Sequence, residues 1–283
     1  MKVLLNLTRI NMSAAIAFSA LAGYIFNTGT FSWTSVAVFC GVLMLAGAAT
    51  ALNQYQERNL DALMQRTMHR PLPAGQLSPI TALIYALIMG ICGTAVLYFF
   101  TNPLTAILGL LNIIWYNAIY TPLKTKTPFV VIIGAVTGAI PPIMGWTAAG
   151  GLITDQRIIF VASFLFLWQI PHFLLLLLKY KEDYRRAGFQ SATSKMNDEQ
   201  VKFIVFMWTL GTSLITLFFP LFGIISGKFL TITTIALNVL LIVFFFRSTF
   251  SKNIIFNTGK AFGSLYLYQI AILAILIFQA LKN

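Results

Sequence analysis

Residues 53–75 read NQYQERNLDALMQRTMHRPLPAG. The stretch carries Glu57, Asp61, Arg58, Arg66 and Arg70, yet only 9% of the chain is charged. It continues directly from an apolar run over 33–53. Asn53, Glu57 and Asp61 are spaced by four. If the apolar run continues as helix, each step of four turns about 400°, so the three side chains stay on one face. They climb roughly 12 Å along it. An amide and two carboxylates in such a column can hold Mg²⁺ through oxygen and leave room for water and phosphate.

Outward from this stretch the chain is almost uniformly apolar. Of its 283 residues 58% are hydrophobic, and the mean hydropathy is +0.83. A soluble globule has about a quarter of its residues charged, which this chain does not approach. Runs long enough to span a bilayer recur at about 10–28, 33–53, 79–99, 103–120, 129–150, 157–178, 201–220, 229–247 and 262–281. They predict an all-α polytopic membrane protein with nine transmembrane helices. No stretch has the composition of a soluble domain, so residues 1–283 read as one transmembrane domain. Lys2 and Arg9 before the first run imitate a signal peptide, but similar runs follow throughout and the first reads as a span. Cys40 and Cys92 lie inside apolar runs without metal-ligand spacing, and are expected to be buried packing residues.

Nine spans put the termini on opposite sides. With the N-terminus inside, sixteen of the 19 Lys and Arg residues, Lys252 among them, fall in inside segments. Only Arg157, Lys228 and Lys282 fall outside. That asymmetry obeys the positive-inside rule. The net charge of +12 is thus a topology signal, and nucleic acid is not an expected partner. Every acid except Asp155 also falls inside, which the rule does not require.

Two further inside segments carry chemistry. KYKEDYRR, residues 179–186, sets Glu182 and Asp183 among Lys179, Lys181, Arg185 and Arg186. YNAIYTPLKTKTP, residues 116–128, adds Tyr120, Lys124 and Lys126. Taken singly, each cluster fits a solvated helix end with local ion pairs, and the lysines fit lipid headgroup contact. Acids mixed with bases at two places on one face favour a shared anionic ligand, since bridging Mg²⁺ and flanking bases let carboxylates hold a diphosphate.

These residues resemble the UbiA superfamily of intramembrane prenyltransferases. Asn53, Glu57 and Asp61 look like its Asn-x-x-x-Asp-x-x-x-Asp motif, with Glu57 one methylene longer than the usual first Asp. RTMHRPLPAG, residues 66–75, looks like its Arg-Thr-x-x-Arg-Pro-Leu segment. YTPLKTKTPFVVIIGAVTGAIPPIMGW (120–146) and FLWQIPHFLLLLLKYKEDYRRAG (166–188) resemble the branch that farnesylates haem b. The likeness covers roughly residues 9–190. It departs at Asn59, where that branch often carries an acid, and after Gly188.

The resemblance implies nine helices around a central intramembrane cavity that opens into lipid beneath cytoplasmic loops. It implies prenyl transfer from farnesyl or another polyprenyl diphosphate, with Mg²⁺ as cofactor. Asn53, Glu57 and Asp61 would bind the metal and diphosphate, and Asp183 with Glu182 would hold a second Mg²⁺ on the opposite wall. Arg66, Arg70, Tyr120, Lys124 and Lys179 would contact the diphosphate. Tyr55, Trp115, Tyr116 and Tyr120 are candidates to face an allylic cation, or belong to membrane packing. Trp168, Gln169 and His172 would meet the acceptor. His172 is either a haem-iron or propionate contact or a neutral, hydrogen-bonded helix histidine. Haem b is the leading acceptor; a quinone precursor or another lipid is the alternative. The implied location is a bacterial-type cell membrane, multi-pass, with the N-terminus and active site facing the cytoplasm. A secondary transporter competes through GAVTGAIPPIMG (134–145), whose glycines and prolines could break a helix. Against it, the acids lie at helix ends or in loops rather than near the midplane.

Overall fold

The computed structural model describes residues 2–251 and 256–282. Among them are nine helices long and apolar enough to cross a membrane. Span 1 is Ile10–Thr28, span 2 Trp33–Asp61, span 3 Pro79–Phe100, span 4 Pro103–Leu123 and span 5 Val130–Ala148. Span 6 is Gln156–Lys179, span 7 Asp198–Leu217, span 8 Lys228–Phe250 and span 9 Thr258–Lys282. The described residues contain no strand. Lys252, counted above with the inside bases, lies outside them. Span 2 runs on from the expected end at 53 to Asp61, which makes the motif column part of a continuous helix.

Polar residues set the helix starts. Ser32 and Ser35 form a reciprocal capping box before span 2, and Asn197 and Gln200 do the same before span 7. Ser78 and Asn102 cap spans 3 and 4, each of which opens on a proline. Proline suits that first position because its missing N–H would be unpaired there anyway.

Span 4 changes pitch. It is α-helical to Ile114 and then becomes a π turn over Trp115–Tyr120. Pro122 follows, without an N–H for the carbonyl four residues back and with a ring that crowds it. The wider spacing relieves that conflict and turns Asn117 and Tyr120 inward, where both are buried. Asn117 Nδ2 then donates to the Ala49 carbonyl and to Gln56 Oε1, tying the π turn to span 2.

Spans 1 and 5 form the middle of the bundle. Span 1 packs on spans 2, 5 and 9; span 5 packs on spans 4 and 6; spans 6, 7, 8 and 9 make the other half. In lipid, helices associate through close packing rather than a hydrophobic drive between them. A Cβ on Gly145 would fall on the Ala20 carbonyl, and one on Gly23 would fall on the Pro142 carbonyl. These glycines therefore serve contact, and span 5 stays one helix through Pro141 and Pro142 instead of breaking. A buried hydroxyl–amide network joins spans 7, 8 and 9. Thr216 Oγ1 lies 3.1 Å from Asn238 Oδ1 and 2.6 Å from the Tyr268 hydroxyl.

The cysteines correct the sequence reading. Cys40 and Cys92 are both exposed on the outside of the bundle. That surface faces acyl chains in a membrane, where a thiol behaves as a small hydrophobe. An apolar run alone does not separate a lipid-facing side from a packed one.

Candidate active site

The ends of spans 2, 4 and 6 meet the 62–78 loop at one end of the bundle. Asn53, Glu57 and Asp61 lie on the inward face of span 2, with exposures of 5%, 6% and 1%. Three acids or amides survive there because bases and donors arrive from other elements. Asn53 Nδ2 donates to Thr121 Oγ1 at 3.0 Å. Lys124 Nζ sits 2.9 Å from Glu57 Oε1 and 3.0 Å from Oε2. Arg70 donates to Asp61 Oδ2 at 2.6 Å. Asp61 Oδ1 is buried and has no hydrogen-bond partner among the described residues.

Lys124 stands just beyond span 4. Burial would lower its pKa, but Glu57 above all outweighs that and holds it above the ordinary lysine value. Its ammonium also lies 4.8 Å from the Tyr120 ring centre and 5.8 Å from that of Tyr116. The two rings are 5.3 Å apart. One cation thus sits over two aromatic faces beside the acid column.

The first half of the loop is fixed from two sides. Thr67 Oγ1 donates to the Asp61 carbonyl at 2.9 Å, beside the Arg70 contact. On the other side, both Asp183 oxygens accept backbone N–H groups, from Gln65 and from Arg66, each at 3.1 Å. Asp61 and Asp183 therefore share one end of the bundle and one loop. An ionised carboxylate offers about four lone-pair directions, so Asp183 retains acceptor capacity beyond these two bonds. Arg66 donates to the Tyr184 hydroxyl at 3.2 Å and lies over the Tyr180 ring at 4.9 Å. Its Nε is buried without a partner among the described residues.

Some expected residues stand elsewhere. Glu182 is exposed and pairs with Arg185 at 2.9 Å. In the short helix Lys181–Arg186, turning Asp183 inward swings its neighbour about 100° away. Glu182 is thus not placed with the other acids. Lys179 is also exposed, over the Tyr180 ring at 5.4 Å. Trp115 donates its indole N–H to the Ile133 carbonyl at 2.8 Å, and Tyr55 packs beneath Arg58 among Leu7, Ala51 and Leu72. Neither ring joins Tyr116 and Tyr120.

Trp168, Gln169 and His172 make a second, aromatic compartment. The His172 ring lies 4.9 Å from Trp168, 4.6 Å from Phe262 and 5.2 Å from Tyr266. Trp168 is held by its N–H to the Leu265 carbonyl at 2.9 Å. Gln169 lies against span 5, where a Cβ on Gly138 would come 3.0 Å from its Oε1. Among the described residues His172 Nδ1 is buried without a hydrogen-bond partner. Phe173 stacks on Tyr120 at 6.1 Å and meets His172 at 5.8 Å, which links the two compartments ring by ring.

The family follows from sequence comparison. A model of the UbiA prenyltransferase family matches residues 16–255. The chain belongs to the UbiA prenyltransferase family. It is 40% identical over 225 residues to a protoheme IX farnesyltransferase of Geobacter sulfurreducens, covering 79% of this chain and 83% of that one. It is 38% identical to the protoheme IX farnesyltransferase of Christiangramia forsetii, over 80% of this chain and 75% of that one. In solved structures the same fold appears in a digeranylgeranylglyceryl phosphate synthase, with a TM-score of 0.80 at 17% identity, covering 100% of this chain and 99% of that one. A UbiA homologue from Archaeoglobus fulgidus bound to GPP and Mg²⁺ gives 0.71 at 14% identity, covering 99% and 100%. This UbiA family member is therefore a prenyl transferase with the nine-helix architecture its sequence implied.

One residue of the UbiA mouth escaped sequence reasoning. Arg9 separates the short helix Lys2–Leu7 from span 1 in a left-handed conformation, with φ 47°, that non-glycine residues seldom adopt. Burial, then repulsion from Arg70 and Arg66, lowers its pKa. A third guanidinium thus shares the electrostatics of the mouth. The signal available in sequence was an arginine at a span boundary with no acid within helical reach, and it was read only as topology.

Proposed function

We propose that this chain transfers a farnesyl group from farnesyl diphosphate to haem b within a membrane, giving a hydroxyethylfarnesyl haem. The observation that carries this is the buried column of Glu57 with Lys124 and Asp61 with Arg70, closed by a loop that Asp183 holds. Each acid is matched to a base from another element, so a ligand of both signs can enter by exchange of partners. A metal diphosphate is such a ligand.

The donor set fits Mg²⁺. Asp61 Oδ1 is an orphaned buried oxygen, and the Asn53 and Glu57 side chains lie on the same helix face. No group of three or more acid, histidine or cysteine side chains converges among the described residues. Mg²⁺ asks for no more than one or two carboxylates, since waters and substrate phosphates complete its shell. Bound there, Mg²⁺ would supply Lewis-acid stabilisation of the charge on the departing diphosphate.

This chain's own residues do the rest. Arg66, Arg70 and Lys124 would hold phosphate oxygens. The donor's carbon–oxygen bond breaks, and its electron pair leaves with the diphosphate. The allylic cation left behind faces the Tyr116 and Tyr120 rings, which attract it without forming a bond. A vinyl group of haem b attacks it, water adds to the resulting cation, and a proton is lost. The ring cluster of Trp168, His172, Phe262 and Tyr266, of which Tyr266 is the exposed member, would meet the porphyrin, with His172 as a contact to its iron or to a propionate. Loops on the arginine- and lysine-rich side close the site from the cytoplasm.

The test is mass spectrometry of haem extracted from membranes that lack endogenous farnesylated haem, with and without this chain. A new haem heavier by one farnesyl and one hydroxyl group is expected. Unchanged haem alongside a newly prenylated quinone precursor would replace haem b as the acceptor.

A further inference from the structure

Asn112 lies within span 4, about one turn before Tyr116, and takes no part in the ion pairs of the mouth. Its side-chain N–H donates to the Thr137 carbonyl on span 5 at 3.4 Å, which sets the plane of the amide. Among the described residues its Oδ1 is buried and accepts no hydrogen bond. A buried acceptor without a donor is costly, so it marks a place that a donor can fill.

Asn112 lines a half-open cavity of about 70 Å³ together with Thr50, Thr137, Tyr116 and the apolar side chains of Leu45 and Met144. At about 10–15 Å³ per water, the cavity has room for several. Both threonine hydroxyls have spent their own hydrogens. Thr50 Oγ1 donates to the Thr8 carbonyl at 2.8 Å, and Thr137 Oγ1 donates to the Gly134 carbonyl at 2.7 Å. What they still offer is lone pairs. Three acceptors around one small space call for a small donor, and an alkyl chain supplies none. A water that gives its hydrogens to two of these oxygens keeps a lone pair of its own free.

The cavity also lies where such a water would be used. Tyr116 lines it and has Lys124 Nζ 5.8 Å from its ring centre, so the cavity adjoins the rings that face the allylic cation. Span 5 ties it to the acceptor side. Gly138 follows Thr137 there and packs on Gln169, whose Oε1 would lie 3.0 Å from an added Cβ.

We propose that Asn112, with Thr137, holds the water that hydroxylates the acceptor after prenyl transfer. The inference rests on the proposed farnesylation of haem b and assigns its closing step to named residues. The terminal vinyl carbon bonds to the first carbon of the farnesyl group, and the positive charge passes to the vinyl carbon attached to the porphyrin. The water oxygen gives its free lone pair to that carbon. The proton it sheds goes to the diphosphate released earlier in the same turnover. An amide oxygen is too weak a base to keep that proton, so Asn112 orients the water and the diphosphate is the base. Where no water is held, the cation instead loses a proton from the neighbouring carbon and leaves an alkene.

The test is the mass of the haem product formed by purified full chain from farnesyl diphosphate, haem b and Mg²⁺ in water enriched in heavy oxygen. The wild-type product is expected to carry one heavy oxygen. Asn112→Leu, with unchanged melting temperature, is expected to raise the share of a farnesylated haem lighter by one water about tenfold, in line with loss of the hydrogen bonds that hold one ordered water. Thr137→Val removes a second acceptor with little change of shape and is expected to shift the product the same way. Fully hydroxylated product from both variants would overturn the assignment. So would a fall in total product or in donor affinity with no change in the hydroxylated share, which would make Asn112 a packing or donor-binding residue. Absence of any farnesylated haem from the wild-type chain would overturn the proposed acceptor as well.

Discussion

At the scale of single residues, the account turns on acids that are buried only because a base reaches each one. Removing one member of such a pair strands the other, which costs about 3 kcal/mol or more. Lys124→Met is therefore expected to lower the melting temperature sharply, and Glu57→Gln/Lys124→Met to recover most of the loss. Independent, additive losses in that cycle would show that the pair is not coupled. The pH dependence follows from the raised Lys124 value. A lysine whose folded pKa is raised gives its full stabilisation below the unfolded value near 10.4 and loses it only as pH climbs through the higher folded value. Between pH 6 and 9 Lys124 should add no slope to thermal stability. Arg9 makes a different prediction. Among the described residues it forms no ion pair, so Arg9→Gln is expected to weaken donor diphosphate binding about tenfold while melting stays unchanged. Asn53, Glu57 and Asp61 were legible because a period of four is local. The Glu57–Lys124 partnership was not, since 67 residues separate the two and nothing nearby encodes the contact.

At the scale of elements, the 62–78 loop and the π turn shape the mouth. Asp183 holds the loop through two backbone N–H groups. In Asp183→Ala those amides should exchange with deuterium at least about tenfold faster, consistent with losing charge-assisted bonds worth roughly 1.5–3 kcal/mol each. Unchanged exchange at Gln65 and Arg66 would mean that Asp183 does not anchor the loop. Most span boundaries were readable from composition to within about four residues, whereas span 2 runs on from the expected end at 53 to Asp61. The inward aim of Asp183 and the outward aim of Glu182 were not. Both follow from how one short helix docks, and adjacent acids look alike in sequence. Pro122 gave a local hint of irregularity, but the π turn depends also on Asn117 finding span 2.

At the scale of the whole molecule, the bundle is held where spans 1 and 5 touch backbone to backbone. Gly145→Val would put a branched side chain into the Ala20 carbonyl. It is expected to abolish recovery of folded protein in detergent, whereas Gly211→Ala, with nothing within 4 Å of the added Cβ, should be recovered normally. Normal recovery of both would show that this crossing is not what joins the bundle. Fold class was carried by hydrophobic run length, which the thickness of the bilayer sets. Which faces look to lipid was not carried that way, as Cys40 and Cys92 illustrate, because lipid and protein interior select the same side chains.

The most direct test of the account is a single-turnover reaction of purified protein with farnesyl diphosphate, haem b and Mg²⁺, followed by mass spectrometry of the haem. The wild-type chain should give farnesylated haem. Asp61→Ala, melting as the wild type does, should give at least about 100-fold less, in line with loss of a charge-stabilising group at a reacting centre. Undiminished product from Asp61→Ala would contradict a diphosphate site built on this column.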